Sequence, residues 1–122
     1  MAYDEATAAR IRWLLAERAD IAERKMMGSL CFLARGTMCC AVSGKGGLLV
    51  RVPAASRAEL LAEPHVQAME IGQRTMQGFV RVAPDGYATD AALRDWVMRG
   101  IDAALASPPK RPRKRAYGGR GK

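Results

Sequence analysis

The sequence predicts a two-layer α+β domain in which helices pack on one antiparallel sheet, in the order α-β(3)-α-β(2)-α. An amphipathic helical pattern lies near each end of the chain, and several short apolar runs are separated by glycine-rich connections. The length of 122 residues suits one hydrophobic core. A hydrophobic fraction of 49% and a charged fraction of 26% are typical of a globular protein, not of a disordered or membrane-embedded chain.

The first predicted helix covers residues 5–18 and has Asp4 as its N-terminal cap. Its apolar residues recur at helical spacing: Ala8, Ile11, Leu14 and Leu15. Charged residues gather at 21–25, and apolar runs of strand length start only at Leu30. The sheet is therefore predicted to begin at Leu30.

The next part of the chain has the pattern of a three-stranded meander. Its predicted strands are 30–34, 38–42 and 48–52. The connections at 35–37 and 43–47 contain glycines, which supply the positive φ angles that tight hairpins require. The second connection shares glycines and a lysine with phosphate-binding loops. Because it precedes a strand and lacks the Gly-Lys-Ser/Thr ending, a hairpin turn is the better prediction.

Two further helices are predicted. The first of them covers residues 56–63 and has Ser56 as its cap. The closing helix is capped by Thr89 or Asp90, and Gly100 within its apolar stripe predicts a close approach to the sheet. The stripe follows the helical period: Leu93, Trp96, Val97, Gly100, Ile101, Ala104 and Leu105.

Alternation along the strands predicts which side chains share a face. Two more strands are predicted at 69–71 and 78–82. In the second of these, the two faces carry Val80 and Val82 on one side, and Phe79 and Arg81 on the other. The same alternation predicts that Cys39 and Cys40 point to opposite faces, which argues against a two-thiol metal clamp.

The sequence predicts no catalytic, cofactor-binding or metal site. His65 is the only histidine, follows Pro64 in a connection and is predicted to be a solvated loop residue. The three cysteines are an odd number without C-x-x-C spacing, which favours buried, reduced thiols over a disulfide framework or a zinc site. No cofactor is expected, and the protein is predicted not to be an enzyme.

The ends of the chain bear on its location and partners. The N-terminus carries Asp4 and Glu5 instead of a basic segment followed by an apolar stretch, and no window approaches eighteen apolar residues. We therefore expect no export signal and no membrane partner. Together with reduced cysteines, this pattern predicts a cytoplasmic protein.

The formal charge of +8 is concentrated in a C-terminal tail, residues 108–122, leaving +1 for a folded domain of residues 1–107. The tail has seven basic residues and no acid: Lys110, Arg111, Arg113, Lys114, Arg115, Arg120 and Lys122. It lacks aliphatic side chains larger than alanine, so it is predicted to be disordered in isolation. Such a tail suits non-specific contact with DNA or RNA phosphates, although a solubilising tail or an expression remnant has the same composition.

Seven methionines are present, and most of them are expected to fill the core. Several lie near the predicted sheet: Met26, Met27, Met38, Met69 and Met76. Their concentration leaves open a hydrophobic groove for a partner protein or a self-association surface.

Several short segments, in order, resemble a known family. Lys25-Met26-Met27-Gly28 is similar to a Met-Phe-Gly-Gly signature, and Gly36-Thr37-Met38 to a glycine-x-methionine hairpin. The segment 74–79, in which Arg74, Met76, Gly78 and Phe79 match, is similar to an Arg-Pro-Met-Lys-Gly-Phe stretch. In these features the chain resembles the TfoX N-terminal domain family over residues 26–105. It departs from the pattern at Met27 and Ser29, where phenylalanine and glycine are usual.

The resemblance implies a fold and a broad role. The fold it implies is the α-β(3)-α-β(2)-α arrangement of secretion-chaperone-like domains, in agreement with the order read from the residues. Longer members of the family are competence regulators that work with a DNA-binding activator and carry a second, helical domain. Here the basic tail is expected to stand in place of that domain, so the regulatory role is implied only in outline.

Two hypotheses follow from the sequence. The first is a non-enzymatic, TfoX-like interaction module, accessory to a transcription or competence-type regulator. Its domain would bind a protein partner or itself, and its tail would contact nucleic acid non-specifically. The second is a protein-binding adaptor with chaperone-like dimerisation and no nucleic-acid role. An enzyme is disfavoured because no acid–base, nucleophile or metal constellation stands out.

Overall fold

The computed structural model describes residues 3–71 and 74–106. Three helices and six strands form in this part of the chain: α1 Glu5–Leu14, β1 Ile21–Met26, β2 Ser29–Ala34, β3 Thr37–Val42, β4 Leu48–Arg51, α2 Ala54–Leu61, β5 Val66–Ile71, β6 Arg74–Val82 and α3 Asp90–Ala106. The α+β class with helices on an antiparallel sheet is confirmed. The element order contains one strand more than predicted.

The additional strand is β1, and the prediction that the sheet begins at Leu30 was wrong. Five of its six residues are exposed and its centre is charged, so it has none of the apolar alternation that marks a strand. It forms because it pairs along its whole length with β2, from Ile21 opposite Ala34 to Met26 opposite Ser29. As an edge strand it needs little apolar surface, and its charges protect the exposed edge from unwanted pairing.

Two tight turns of the same kind join the first three strands. Met27 and Gly28 have φ angles of 51° and 80°, and Arg35 and Gly36 have 52° and 87°. Positive φ at both central residues is typical of the type I′ turn, whose twist matches that of the flanking strands. The predicted hairpin at 35–37 is confirmed, and a second one precedes it.

All six strands are antiparallel, in the spatial order β1-β2-β3-β4-β6-β5. The helices cover one face of this sheet, where the main core forms. Helix residues Ile11, Leu60 and Ile101 pack there with strand residues such as Phe32 and Val80. The opposite face carries a smaller apolar cluster made of strand residues alone within the described part of the chain: Cys31, Leu33, Ala41, Leu49, Met69 and Phe79.

Helix α3 lies directly against the sheet at Gly100, as predicted. A Cβ atom placed on Gly100 would collide with the backbone carbonyl of Cys39 and would lie 3.5 Å from a methyl group of Val50. The helix is capped by Thr89, whose hydroxyl accepts a 3.1 Å hydrogen bond from the Ala92 amide. Asp90, the other predicted cap, instead forms an ion pair with Arg10 of α1 at 3.2 Å.

Several predicted boundaries differ from the structure. Helix α1 has the predicted cap, since Asp4 accepts from the Ala6 amide at 3.3 Å, but it ends four residues early. Helix α2 begins at Ala54 after Pro53 and has no side-chain cap, so the prediction of Ser56 as cap was wrong. The last two strands are longer than predicted because they pair with each other over most of their length. The predicted boundary at residue 107 lies outside the described residues.

Candidate functional site

A groove of about 290 Å³ lies on the sheet face opposite the helices. It is lined by residues from both edges of the sheet, Met26 of β1 and Met69 of β5, and from the strands between them. In a flat six-stranded sheet the two edges would lie about 24 Å apart. The groove therefore runs across the sheet and draws its lining from strands that are far apart in the strand order.

The floor of the groove is apolar. Cys31, Ala41 and Leu49 come from three adjacent strands and are each at most 5% exposed. Burial raises the pKa of the Cys31 thiol, so it is a poor nucleophile at neutral pH. The floor thus offers an apolar surface without a reactive group.

Methionines form the sides of the groove. Four of them line it: Met26, Met27, Met38 and Met69. Met27 is 90% exposed and Met26 is 42% exposed, although large apolar side chains are normally buried. Met27 is held outward by the positive φ of its turn. Thioether side chains are flexible and polarisable, so this rim can adapt to the shape of an apolar partner group.

The charges on the groove face are mostly positive. Residues opposite each other in an antiparallel pair point to the same face, which places Arg24 beside Cys31, and Arg81 beside Leu49. Lys45 also borders the groove, and the one acid among its described lining residues is Glu70.

Arg51 and Arg81 are held in place by neutral groups. Arg51 donates to the Met38 carbonyl at 2.6 Å, and its guanidinium lies 4.7 Å from the centre of the Phe79 ring. Burial lowers the pKa of Arg51. Arg81 donates to the Ser43 hydroxyl at 3.0 Å and to the Gly46 carbonyl at 2.6 Å. Neither arginine has a carboxylate partner among the described residues.

The glycine-rich loop between β3 and β4 forms one end of the groove and is a hairpin, as predicted. Its Gly44 amide donates to the Ser29 hydroxyl at 3.0 Å, and its Lys45 amide donates to the Ser43 hydroxyl at 3.1 Å. The Gly46 amide donates to the Ser43 carbonyl. These amides are engaged within the protein, so they are not arranged to hold a phosphate.

Comparison with known families decides the classification of the chain. The family model of the TfoX N-terminal domain matches residues 13–104, about three quarters of the sequence. The chain belongs to the TfoX N-terminal domain family. No curated protein and no solved structure gives a significant match. The TfoX N-terminal family is not known as an enzyme family.

Most residues that carry the TfoX resemblance lie either in the two tight turns or on the groove face of the sheet. Gly28 and Gly36 occupy the positive-φ positions of the two tight turns. Four others lie on the groove side of the sheet: Met26, Met38, Met76 and Phe79. Arg74 is exposed at the start of β6, and the carbonyl of Gly78 accepts from the Val52 amide at 2.9 Å. The motif residues thus shape the hairpins and one face of the sheet.

The prediction that Cys39 and Cys40 point to opposite faces of this TfoX domain was wrong. The register between β2 and β3 shifts, so that Phe32 pairs with Cys40 while Leu33 pairs with Met38. Cys39 is the extra residue of a β-bulge, and both thiols are fully buried in the core beneath the helices. Cys39 donates to the Phe32 carbonyl at 3.3 Å. Hydrogen bonding with Cys39, together with burial, raises the pKa of Cys40.

The remaining predicted sites fall away from the groove or outside the described residues. His65 is exposed in the connection between α2 and β5, as predicted. Residues 3–71 and 74–106 contain no group of three histidines, cysteines or carboxylates that could hold a metal ion. No helix in that part of the chain is long and apolar enough to cross a bilayer. The seven basic tail residues lie outside the described residues.

The sequence left a methionine-lined groove open as an alternative. Its main expectation, that most methionines fill the core, was wrong, since Met69 is the one buried methionine among the described residues. Sequence reasoning also missed Arg24 as a neighbour of the methionines because β1 was not recognised as a strand. The signal in the sequence is Gly28 between two six-residue segments, and it is weak because Met27 is not a residue type that favours positive φ. Recognising that hairpin would have placed Arg24 beside Cys31.

Proposed function

We propose that this TfoX-family protein is a non-enzymatic interaction module with two contact surfaces. Its domain binds a partner protein through the methionine-lined groove, and its basic tail contacts nucleic-acid phosphates without reading the sequence. The observation that carries the proposal is the apolar sheet face whose exposed methionines are covered by no helix of the described chain.

The groove supports partner binding because of its composition. Surface apolar patches that combine exposed methionines with a polar rim are typical of protein interaction sites. Met27 in particular has no internal role that requires a large apolar side chain, since it is 90% exposed. Its turn would be equally well served by asparagine, which prefers positive φ. The thioether is therefore better explained by an external contact.

The residues of the groove give little support for catalysis there. Its described lining contains no histidine, and its one cysteine has a pKa raised by burial. The single acid in that lining is Glu70, so the described lining contains neither a pair of carboxylates nor a histidine–carboxylate pair. A general acid–base pair, or a base that activates a serine or cysteine, would need such a partner. These observations favour binding over catalysis.

The nucleic-acid part of the proposal rests on charge in the sequence. Seven basic residues without an acid in residues 108–122 can neutralise phosphates and release counterions, whereas residues 1–107 carry only +1. Each phosphate contact should contribute about −0.9 to the slope of log K against log salt for duplex DNA, and about −0.7 for a single strand. The affinity would therefore be strongly salt-dependent and would arise in the tail.

The test measures binding of a short labelled duplex and of a single strand across a salt series. The intact chain is compared with a full-length variant in which the seven tail lysines and arginines are glutamine. We expect a steep salt slope for the intact chain and loss of binding in the neutralised variant. Equal binding by both proteins would place the contact in the domain. No binding at low salt would leave the adaptor with chaperone-like dimerisation as the better hypothesis.

A further inference from the structure

The chemistry of the groove narrows the class of partner. We infer that it recognises a protein segment in which an apolar side chain is flanked by acidic residues. This inference rests on the proposed role of the domain as a protein-binding module and specifies what it binds. Three features of the groove carry it: the apolar floor, the unneutralised cations at its margin and the lack of a stacking platform.

The floor selects an apolar side chain. Cys31, Ala41 and Leu49 present carbon and sulfur atoms, and the methionines above them do the same. A polar group inserted among these residues would lose its water without gaining a hydrogen bond, which is unfavourable. The volume of about 290 Å³ suits an inserted side chain rather than a whole helix. The partner therefore contributes an apolar anchor.

The margin selects acidic flanks. Arg24, Lys45 and Arg81 have no ion pair among the described residues, and Arg81 is held only by a hydroxyl and a carbonyl. The ion pairs that the described part of the chain does form involve other arginines: Arg10, Arg12, Arg18 and Arg35. The one acid in the described lining, Glu70, is outnumbered by these cations, so positive charge beside the groove is left for an external carboxylate. Charge complementarity of this kind steers association and suppresses wrongly charged partners.

Other occupants fit less well. Single-stranded nucleic acid needs exposed aromatic rings on which bases can stack, whereas Phe79 is 7% exposed and lies against Arg51. The protein's own tail carries seven cations and no acid, so the groove margin would repel it. A protein segment with an apolar side chain and acidic flanks can pack on the apolar floor and pair with the cations at the margin.

The test uses fluorescence polarisation with three pools of short labelled peptides. One pool has a central leucine, methionine or phenylalanine with acidic flanks, the second has the same centre with basic flanks, and the third has a central serine with acidic flanks. Every protein carries the tail neutralised to glutamine, so that acidic peptides cannot bind the tail. We expect the first pool to bind about tenfold more tightly than either of the others.

Two matched pairs of variants locate the binding. Arg24→Glu reverses a charge on the groove face. Lys25→Glu makes the same charge change on the next residue, which pairs with Leu30 and so faces the helix side of the sheet. Met27→Asn removes a thioether from a positive-φ turn, and Arg35→Asn places asparagine at the same position of the other turn, where it removes the ion pair with Asp20 but no thioether. Arg24→Glu and Met27→Asn should each weaken binding about tenfold, with the two controls within about twofold.

The outcomes separate the inference from the proposed function. If the basic pool binds best and Met27→Asn weakens it, the groove binds protein but the acidic class is wrong. If the serine pool binds as well as the first pool, the apolar anchor is wrong. If no pool binds at about millimolar concentration, both the inference and the docking role of the groove are overturned. The salt-series experiment on the tail is independent of all three results.

Discussion

The two faces of the sheet are built from the same strands but differ in what covers them. On the helix side, Phe32 and Val50 are fully buried in the core that the strands form with the helices. On the groove side, Cys31 and Leu49 are nearly as buried, but they line a groove bordered by methionines and covered by no helix of the described chain. Alternate residues of one strand therefore build a shape-specific core and an adaptable surface.

The charges follow the same division. Arg12 of α1 forms a two-bond ion pair with Glu23 of β1, and Arg10 is joined to Asp90. On the groove side, Arg51 and Arg81 are held by carbonyl, hydroxyl and ring contacts. Ion pairs on the helix side join elements to one another, whereas these groove-side arginines have no ion pair among the described residues and stay available to a ligand.

The largest expected effect compares one phenylalanine from each face. Phe32→Ala should lower the free energy of unfolding by about 4 kcal/mol, because it leaves a cavity between sheet and helices. Phe79→Ala should cost only about 2 kcal/mol, because the flexible side chains around it can move into the space. Urea unfolding of both variants measures the difference. Equal losses would show that the groove face is as tightly packed as the core.

The next effect concerns the contact between α3 and the sheet. Gly100→Ala should improve helix propensity by about 1 kcal/mol but force the helix away from the Cys39 carbonyl at a cost of about 3 kcal/mol. The expected net loss is about 2 kcal/mol in urea unfolding. Gly78→Ala is the control, because a Cβ there meets nothing within 4 Å and its φ is not positive. A stable Gly100→Ala protein would contradict the close approach.

A smaller effect compares the thiols of the two faces. Cys31 lines the groove together with methionines, whereas Cys39 and Cys40 lie in the core beneath the helices. A thiol reagent at mildly alkaline pH should therefore modify Cys31 about tenfold faster than the other two. Cys31→Ser should abolish the fast phase, and Cys39→Ser should leave it intact. Fast modification of all three thiols would show that the helix layer opens as readily as the groove.

The sequence predicted most of the fold because its apolar periods are clear. The stripe of α3 from Leu93 to Ala104, including Gly100, and the alternation of Val80 against Phe79 were both read correctly. Leu105, the last residue of the predicted stripe, is instead 40% exposed. The missed elements are those that tertiary pairing determines. Strand β1 has a charged centre and forms by pairing with β2, and the bulge at Cys39 is a register shift that a strict two-residue period does not reveal.

The candidate site was predicted only as a set of residue types. The methionines were singled out, but a groove that has both Met26 and Met69 in its lining depends on the strand order, which places β1 and β5 at opposite edges of one sheet. The positive margin was hidden for the same reason, since Arg24 and Arg81 come from strands that are distant in sequence. Residue types can be read along the chain, whereas their convergence requires the strand order.

The smallest expected effect is the contribution of the ion pair between Arg12 and Glu23. The hydrogen bonds from Arg12 lower the pKa of Glu23 below its ordinary value of 4.5. A carboxyl whose pKa is lowered by folding stabilises the protein above its ordinary pKa, and this stabilisation is lost as the pH falls through the folded value. Both side chains are more than a third exposed, so Arg12→Gln should cost only about 0.5 kcal/mol at neutral pH.

Arg24→Gln is the matched control for this ion pair, because Arg24 faces the groove and has no carboxylate partner among the described residues. We expect it to leave the free energy of unfolding unchanged at neutral pH. The deficit of Arg12→Gln should shrink as the pH is lowered below 4.5, because protonated Glu23 no longer attracts Arg12. If Arg24→Gln were as destabilising as Arg12→Gln, the cations of the groove face would be structural. Their availability to an acidic partner would then lose its support.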